Sequence, residues 1–183
     1  MPELIDDYPV PFRSLREIED EMNRLRKLAG LLECDKIEPF EFMSLLHIKF
    51  AIRPESQMSG AISFATAQDN TIWATRVLAK GLRLGEPKYL QTWAHEVAHL
   101  ALHRGSGPKA RMAGQGNRTI NFIPEENSAE HQAWLGARAL LLPRSELSLG
   151  LEIEEIAAKV GVTPFTVEKR LKEIAEFESR NRS

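Results

Sequence analysis

His95, Glu96 and His99 form a His-Glu-x-x-His pattern within Trp93-Ala94-His95-Glu96-Val97-Ala98-His99-Leu100. Residues four apart on a helix share a face one turn apart, so two imidazoles at this spacing can grip one metal ion. Between them Glu96 stands where a carboxylate can take a proton from an attacking water, as the general base of a zinc hydrolase does. Five residues can arise by chance, so the surroundings decide. They agree: residues 94–102 hold no Gly or Pro, and Leu90, Trp93, Val97 and Leu100 recur at helical spacing away from the His pair.

A catalytic zinc takes three protein ligands and keeps one position open. His103 is the nearest further imidazole, but the ligand direction drifts by about 40° every four residues, and a straight helix does not wrap three side chains around one ion. It is expected behind the ligands or at the exposed helix end. The next helical stretch offers Glu126 and Glu130 on one face, with Ala129, Ala133 and Ala137 letting a neighbouring helix approach closely. Either carboxylate would complete a His-His-Glu set. Tyr89, His103 and His131 are the donors near these motifs that could stabilise an oxyanion.

The positioning elements follow from pattern and punctuation. Ser14 with Glu17 makes a capping box ahead of Leu15, Ile18, Met22, Leu25, Leu28, Ala29 and Leu32, which predicts a first helix; its acidic residues Glu17 and 19–21 read as a solvated face. Pro39 starts a short helix to about His47, a boundary histidine, and residues 48–53 read as a strand. Residues 61–67 and 71–78 are β-rich and flank a Gln68-Asp69-Asn70 turn, giving a small, mostly antiparallel sheet. Gly81, Gly85 and Pro87 break the chain before the His helix, and residues 105–116 form a Gly-rich basic loop after it. A third long helix is expected from Pro124 to Leu142, stopped by Pro143.

Composition sets the class. The 183 residues are 43% hydrophobic with a net charge of −2, enough for one real core and a small appended unit. That balance excludes a strong nucleic-acid field. Cys34 is the single cysteine, which excludes an internal disulfide framework and reads as a small apolar side chain beside Leu31 and Leu32. The acidic, proline-broken N-terminus lacks a secretory signal, and no apolar run could span a membrane, so the expected compartment is the cytoplasm. From Leu151 onward, Gly161 followed by Thr163-Pro164 separates two apolar-periodic stretches in a helix-turn-helix outline. Its carboxylates outnumber its cations, so a packing or protein-contact role is favoured over direct DNA contact.

The His motif, taken with Glu130-His131-Gln132-Ala133-Trp134-Leu135-Gly136-Ala137 and the Leu140-Leu141-Leu142-Pro143 that follows, resembles the ImmA/IrrE metallopeptidases. Counting back from Pro143 aligns Glu130 with the family's ligand glutamate and leaves Glu126 in reserve. Trp134 stands where the family usually has Asn and Gly136 where it has Phe. Gln91 replaces the usual Phe before the His helix. A polar contact to a ligand histidine is thus either missing or supplied by another group.

The resemblance implies an α+β fold: a small zincin-like metallopeptidase domain over residues 1–145, and a helix-turn-helix-like segment over 146–183. It implies Zn²⁺ on His95, His99 and Glu130, with Glu96 catalytic. It also implies a cytoplasmic zinc endopeptidase that cuts a helix-turn-helix transcriptional repressor and so regulates a stress or mobile-element response. The competing expectation is a non-catalytic regulator that binds a partner protein or DNA through residues 152–183 and keeps a structural metal site.

Overall fold

The computed structural model describes residues 7–31, 36–104, 123–147 and 150–180. Cys34 and the 105–116 loop lie outside the described residues. The architecture is α+β, with a three-stranded sheet packed on helices. Helix α1 (Leu15–Leu28) starts on the expected Ser14–Glu17 capping box and stops before Gly30, whose φ of 70° only glycine adopts cheaply. One of its acidic residues departs from the solvated reading. Glu19 is buried and accepts from Arg144 Nε at 2.9 Å and Arg170 Nη2 at 2.5 Å, tying α1 to the C-terminal helices. A buried carboxylate needs such partners, and arginines 125 and 151 positions away leave no local signal.

Helix α2 (Pro39–Leu45) leads through His47, exposed and at positive φ, into β1 (Lys49–Ile52). Strands β2 (Ser63–Thr66) and β3 (Thr71–Ala74) form the expected antiparallel hairpin. The sheet order is β1-β3-β2, and β1 pairs parallel with β3. The sheet is therefore evenly mixed, because residues 53–62 carry the chain past the future position of β3 to the far edge. The β-rich run ends at Ala74: Thr75 accepts from the Leu78 amide and caps α3 (Arg76–Arg83), so Val77 and Leu78 are helical rather than extended. Gly81 lies inside α3 instead of breaking the chain there, because a Cβ at that position would meet the Tyr89 ring at 1.8 Å.

Helix α4 (Pro87–Leu102) carries the His motif and packs along α5 (Ala129–Leu141). The expected single helix from Pro124 is two pieces. Residues Glu125–Asn127 form a 3-10 turn, and Ser128 caps α5 by accepting from His131 N. The break lets the N-terminal segment pair here, with Val10 N donating to Asn127 O and Ala129 N to Tyr8 O. Asp7 Oδ1 accepts from Glu130 N, so three orphan amides of the α5 start find partners.

Gly136 explains its own departure from the family pattern. A Cβ there would sit 2.8 Å from Ala98 Cβ and 3.2 Å from Leu102 Cδ1, so the small residue sets how closely α5 approaches α4. Gly136→Ala gains about 1 kcal/mol of helix propensity. Overpacking against a methyl that cannot rotate away costs about 1–3 kcal/mol. The expected net result is a thermal unfolding midpoint lowered by a few degrees in a melting scan.

After α6 (Arg144–Leu147), α7 (Ile153–Val160) ends at Gly161, left-handed with φ 77°, and α8 (Pro164–Arg180) follows. This is the predicted helix-turn-helix outline. Ile156, Val160 and Val167 share one apolar cluster with Trp93 and Leu140. Among the described residues no helix is long and apolar enough to cross a membrane.

Candidate metal centre

Helix α4 presents His95 and His99 on the face toward α5, as the i, i+4 spacing requires, and the first turn of α5 presents Glu130. Carboxylates suit that position because the helix N-terminus carries positive partial charge. Glu130 Oε2 lies 3.1 Å from His95 Nε2, Glu130 Oε1 lies 3.0 Å from His99 Nε2, and the two imidazole nitrogens are 3.0 Å apart. These three residues are a group able to hold a metal ion, their donor atoms all within 4.8 Å of one another. Tetrahedral ligands at zinc bond lengths stand about 3.3 Å apart, so the donor set and spacing fit that ion.

Glu126 does not join them. It is exposed on the 3-10 turn, and its backbone carbonyl accepts from Gln132 Nε2. The shared helical face expected for Glu126 and Glu130 is lost at Ser128. Tyr89 is also elsewhere, packed on Gly81 with Lys88 over its ring, and His131 pairs with Glu125 at 3.1 Å. His103 is buried rather than exposed, its Nδ1 3.0 Å from His99 Nδ1, with burial lowering its pKa to about 4. Gln91, the departure before the His motif, contacts Thr166 of α8.

Glu96 lies beside the pair, buried, and accepts from Ser63 Oγ at 2.8 Å and from the Ala65 amide. Burial raises its pKa to about 7, against the opposing pull of His99 and Ser63. Glu130 is also penalised by burial, but hydrogen bonds and charge from His95 and His99 outweigh that and hold it at about 2. The two carboxylates act on stability with opposite sign. Glu96 binds protons more tightly folded than unfolded, so its share is present below the ordinary glutamate range and is lost as pH rises toward 7. Glu130 contributes above that range and its share is lost as pH falls toward 2. Burial lowers the His103 pKa to about 4, so its share of stability grows with pH over the window in which that of Glu96 is lost, and chelator-treated protein should change by less than about 1 kcal/mol between pH 4.5 and 7.5 in denaturant titrations. Glu96→Gln should remove the falling share and leave stability rising with pH over that window.

Two further rings border the site, one of them from a residue with no recognisable sequence signal. Tyr8 stands beside it, its ring centroid 6.5 Å from that of His99 and 6.1 Å from that of His103. Burial, then the charges of Glu130, Asp7 and Glu96, push its phenol up to about 12, so it remains a proton donor at neutral pH. Trp134 lays its ring 4.3 Å from that of His95, and among the described residues the buried His95 Nδ1 has no hydrogen-bond partner. Among the described residues, then, none supplies His95 Nδ1 with the polar contact missing at Trp134.

A paired-histidine helix, a glutamate from the neighbouring helix and a buried carboxylate behind them agree with the family comparison. The model of the IrrE N-terminal-like domain, a peptidase family, matches residues 46–172. The chain belongs to this family. The match spans more than half of the sequence, from the end of α2 into α8, and so takes in both helices that carry the His-His-Glu cluster. No curated protein and no solved structure matches the chain. Membership in the IrrE N-terminal-like peptidases brings with it a protein substrate and hydrolysis of peptide bonds as the family's chemistry.

Proposed function

We propose that this IrrE-like protein is a zinc-dependent endopeptidase whose ion is held by His95, His99 and Glu130, with Glu96 as general base. The convergence of three donor atoms from α4 and α5 beside a buried carboxylate carries this reading. A zinc ion there would polarise the scissile carbonyl and lower the pKa of the attacking water. Glu96 takes the proton from that water and delivers it to the leaving amine. Tyr8, neutral and next to His99, donates to the oxyanion as it forms. Tyr8→Phe should lower kcat by about 10²-fold, leaving KM and zinc content near wild type in steady-state assays and elemental analysis.

A peptide substrate that adds a strand to the sheet would find its edge at β2. Its outer position leaves one side unpaired, and Ser63 and Ala65 touch Glu96 from it. Thr75 N donates to Ile62 O, so alternate residues Phe64 and Thr66 turn their main chain to β3 while Ser63 and Ala65 turn outward. An extended substrate adding a strand there lies on the side of β2 that touches Glu96.

The proposed substrate is a helix-turn-helix transcriptional repressor in the cytoplasm, cut to release a stress or mobile-element response. Family membership and the implied protein substrate support it. The zinc-loaded protein incubated with the repressors encoded beside its gene, with products read by mass spectrometry, tests it. Cleavage at discrete bonds, stopped by a chelator and restored by zinc, is expected. Intact repressors alongside a cleaved generic peptide would remove the repressor and keep the peptidase.

A further inference from the structure

We propose that Gln132 and His103 form a relay that fixes His99 as the Nδ1–H tautomer and keeps its Nε2 lone pair aimed between Glu130 and His95. This rests on the metal reading of the site. Gln132 is buried on α5, and its amide nitrogen lies 2.9 Å from Pro11 O and 2.9 Å from Glu126 O. Both amide hydrogens are thereby committed to carbonyls. A flipped amide would set three oxygens against one another, so Oε1 must be the atom facing His103.

The rest follows by donor and acceptor matching. Gln132 Oε1 is 3.4 Å from His103 Nε2 and can only accept, so Nε2 carries the proton. His103 is buried against a second imidazole nitrogen, and a ring with its one proton on Nε2 has a lone pair on Nδ1. That atom is 3.0 Å from His99 Nδ1, which must donate to it. His99 is left with its free pair on Nε2, the atom 3.0 Å from Glu130 Oε1. A ligand imidazole held this way enters the metal site already in the binding tautomer.

His95 has no such support, since its Nδ1 is without a partner among the described residues and Trp134 lies against its ring. Orientation of the ligand pair therefore falls on the His99 side. Gln132 also fastens the N-terminal segment that carries Tyr8 to the 3-10 turn before α5, so one amide aligns a ligand, a proton donor and the carboxylate helix. Gln132 and His103 are positioning residues in this scheme and touch no reacting atom.

Long-range ¹H–¹⁵N spectra of the zinc-loaded full chain, labelled at histidine, test the relay directly. His103 protonated on Nε2 and bare on Nδ1, with His99 protonated on Nδ1, is the expected pattern. His103 protonated on Nδ1, or on both nitrogens, overturns it. In parallel, Gln132→Met, of similar volume and with only a weakly accepting sulfur in place of the amide, should weaken zinc binding by about 10–100-fold in chelator competition. A folded Gln132→Met protein that binds zinc as tightly as wild type also overturns it. The wild-type spectrum decides the matter even where the variant fails to fold. Wild type that takes up no zinc would sink the metal reading, whereas a zinc-binding protein with the wrong His103 tautomer sinks the relay alone.

Discussion

Glu96→Gln will retain full zinc content and lose peptide hydrolysis by about 10²–10⁴-fold, the contribution expected of a positioned general base. The substitution is close to isosteric, and the Gln carbonyl oxygen still accepts from Ser63 Oγ, which sits 2.8 Å from Glu96 Oε1. What disappears is a carboxylate poised near neutrality: its pKa of about 7 arises from burial, opposed by His99, Ser63 and the Ala65 amide. A loss of kcat with little change in KM would place Glu96 in the chemical step and not in substrate binding. The same variant supplies its own folding control. Removing a buried group that resists ionisation raises stability at neutral pH in chelator-treated protein, so an inactive variant that melts higher is inactive for chemical reasons. Hydrolysis at the wild-type rate would remove Glu96 from the mechanism and favour a binding protein with a structural metal site.

Much of this site is written locally in the chain. The His95–His99 spacing, the Ser14 capping box and the Thr163-Pro164 helix start each depend on residues within a turn of one another, and each stands in the structure as the sequence indicates. The elements that differ depend on distant partners. Ser128 ends the expected long helix because the segment around Pro9 bridges to it, across a separation no periodicity can register. That one bridge removes Glu126 from the face of Glu130. Tyr8 and Gln132 enter the site through the same pairing, and neither sits in a pattern that marks it. Glu19 looks like its exposed neighbours until Arg144 and Arg170 arrive from the far end of the chain. Trp134 shows the other side of the matter: its departure from the family pattern is visible in the sequence, and its consequence, a His95 Nδ1 with no partner among the described residues, appears only when the helices pack.

Elemental analysis of ligand variants separates the two glutamates most sharply. His99→Ala and Glu130→Ala each remove one of three donors converging at 3.0–3.1 Å, and each should weaken zinc binding by more than the roughly 100-fold that loss of a supporting contact costs. Glu130→Ala leaves the two imidazoles adjacent and without the carboxylate that sits between α4 and α5, so ion and helix pairing loosen together. Glu126→Ala should change nothing, because that side chain is exposed and its structural contact runs through its backbone carbonyl, which alanine keeps. Near one zinc per chain in wild type and Glu126→Ala, with neither His99→Ala nor Glu130→Ala retaining it through a chelating column, is the expected result. Zinc lost from Glu126→Ala and retained by Glu130→Ala would require a 3-10 turn that swings its carboxylate inward, and the third ligand would have to be reassigned. Loss from both would point to a general weakening of the α5 start, which circular dichroism of the same samples would reveal. The contrast between the two positions tests the break at Ser128 as much as the metal site, because a continuous helix from Pro124 would have offered both carboxylates to the same ion.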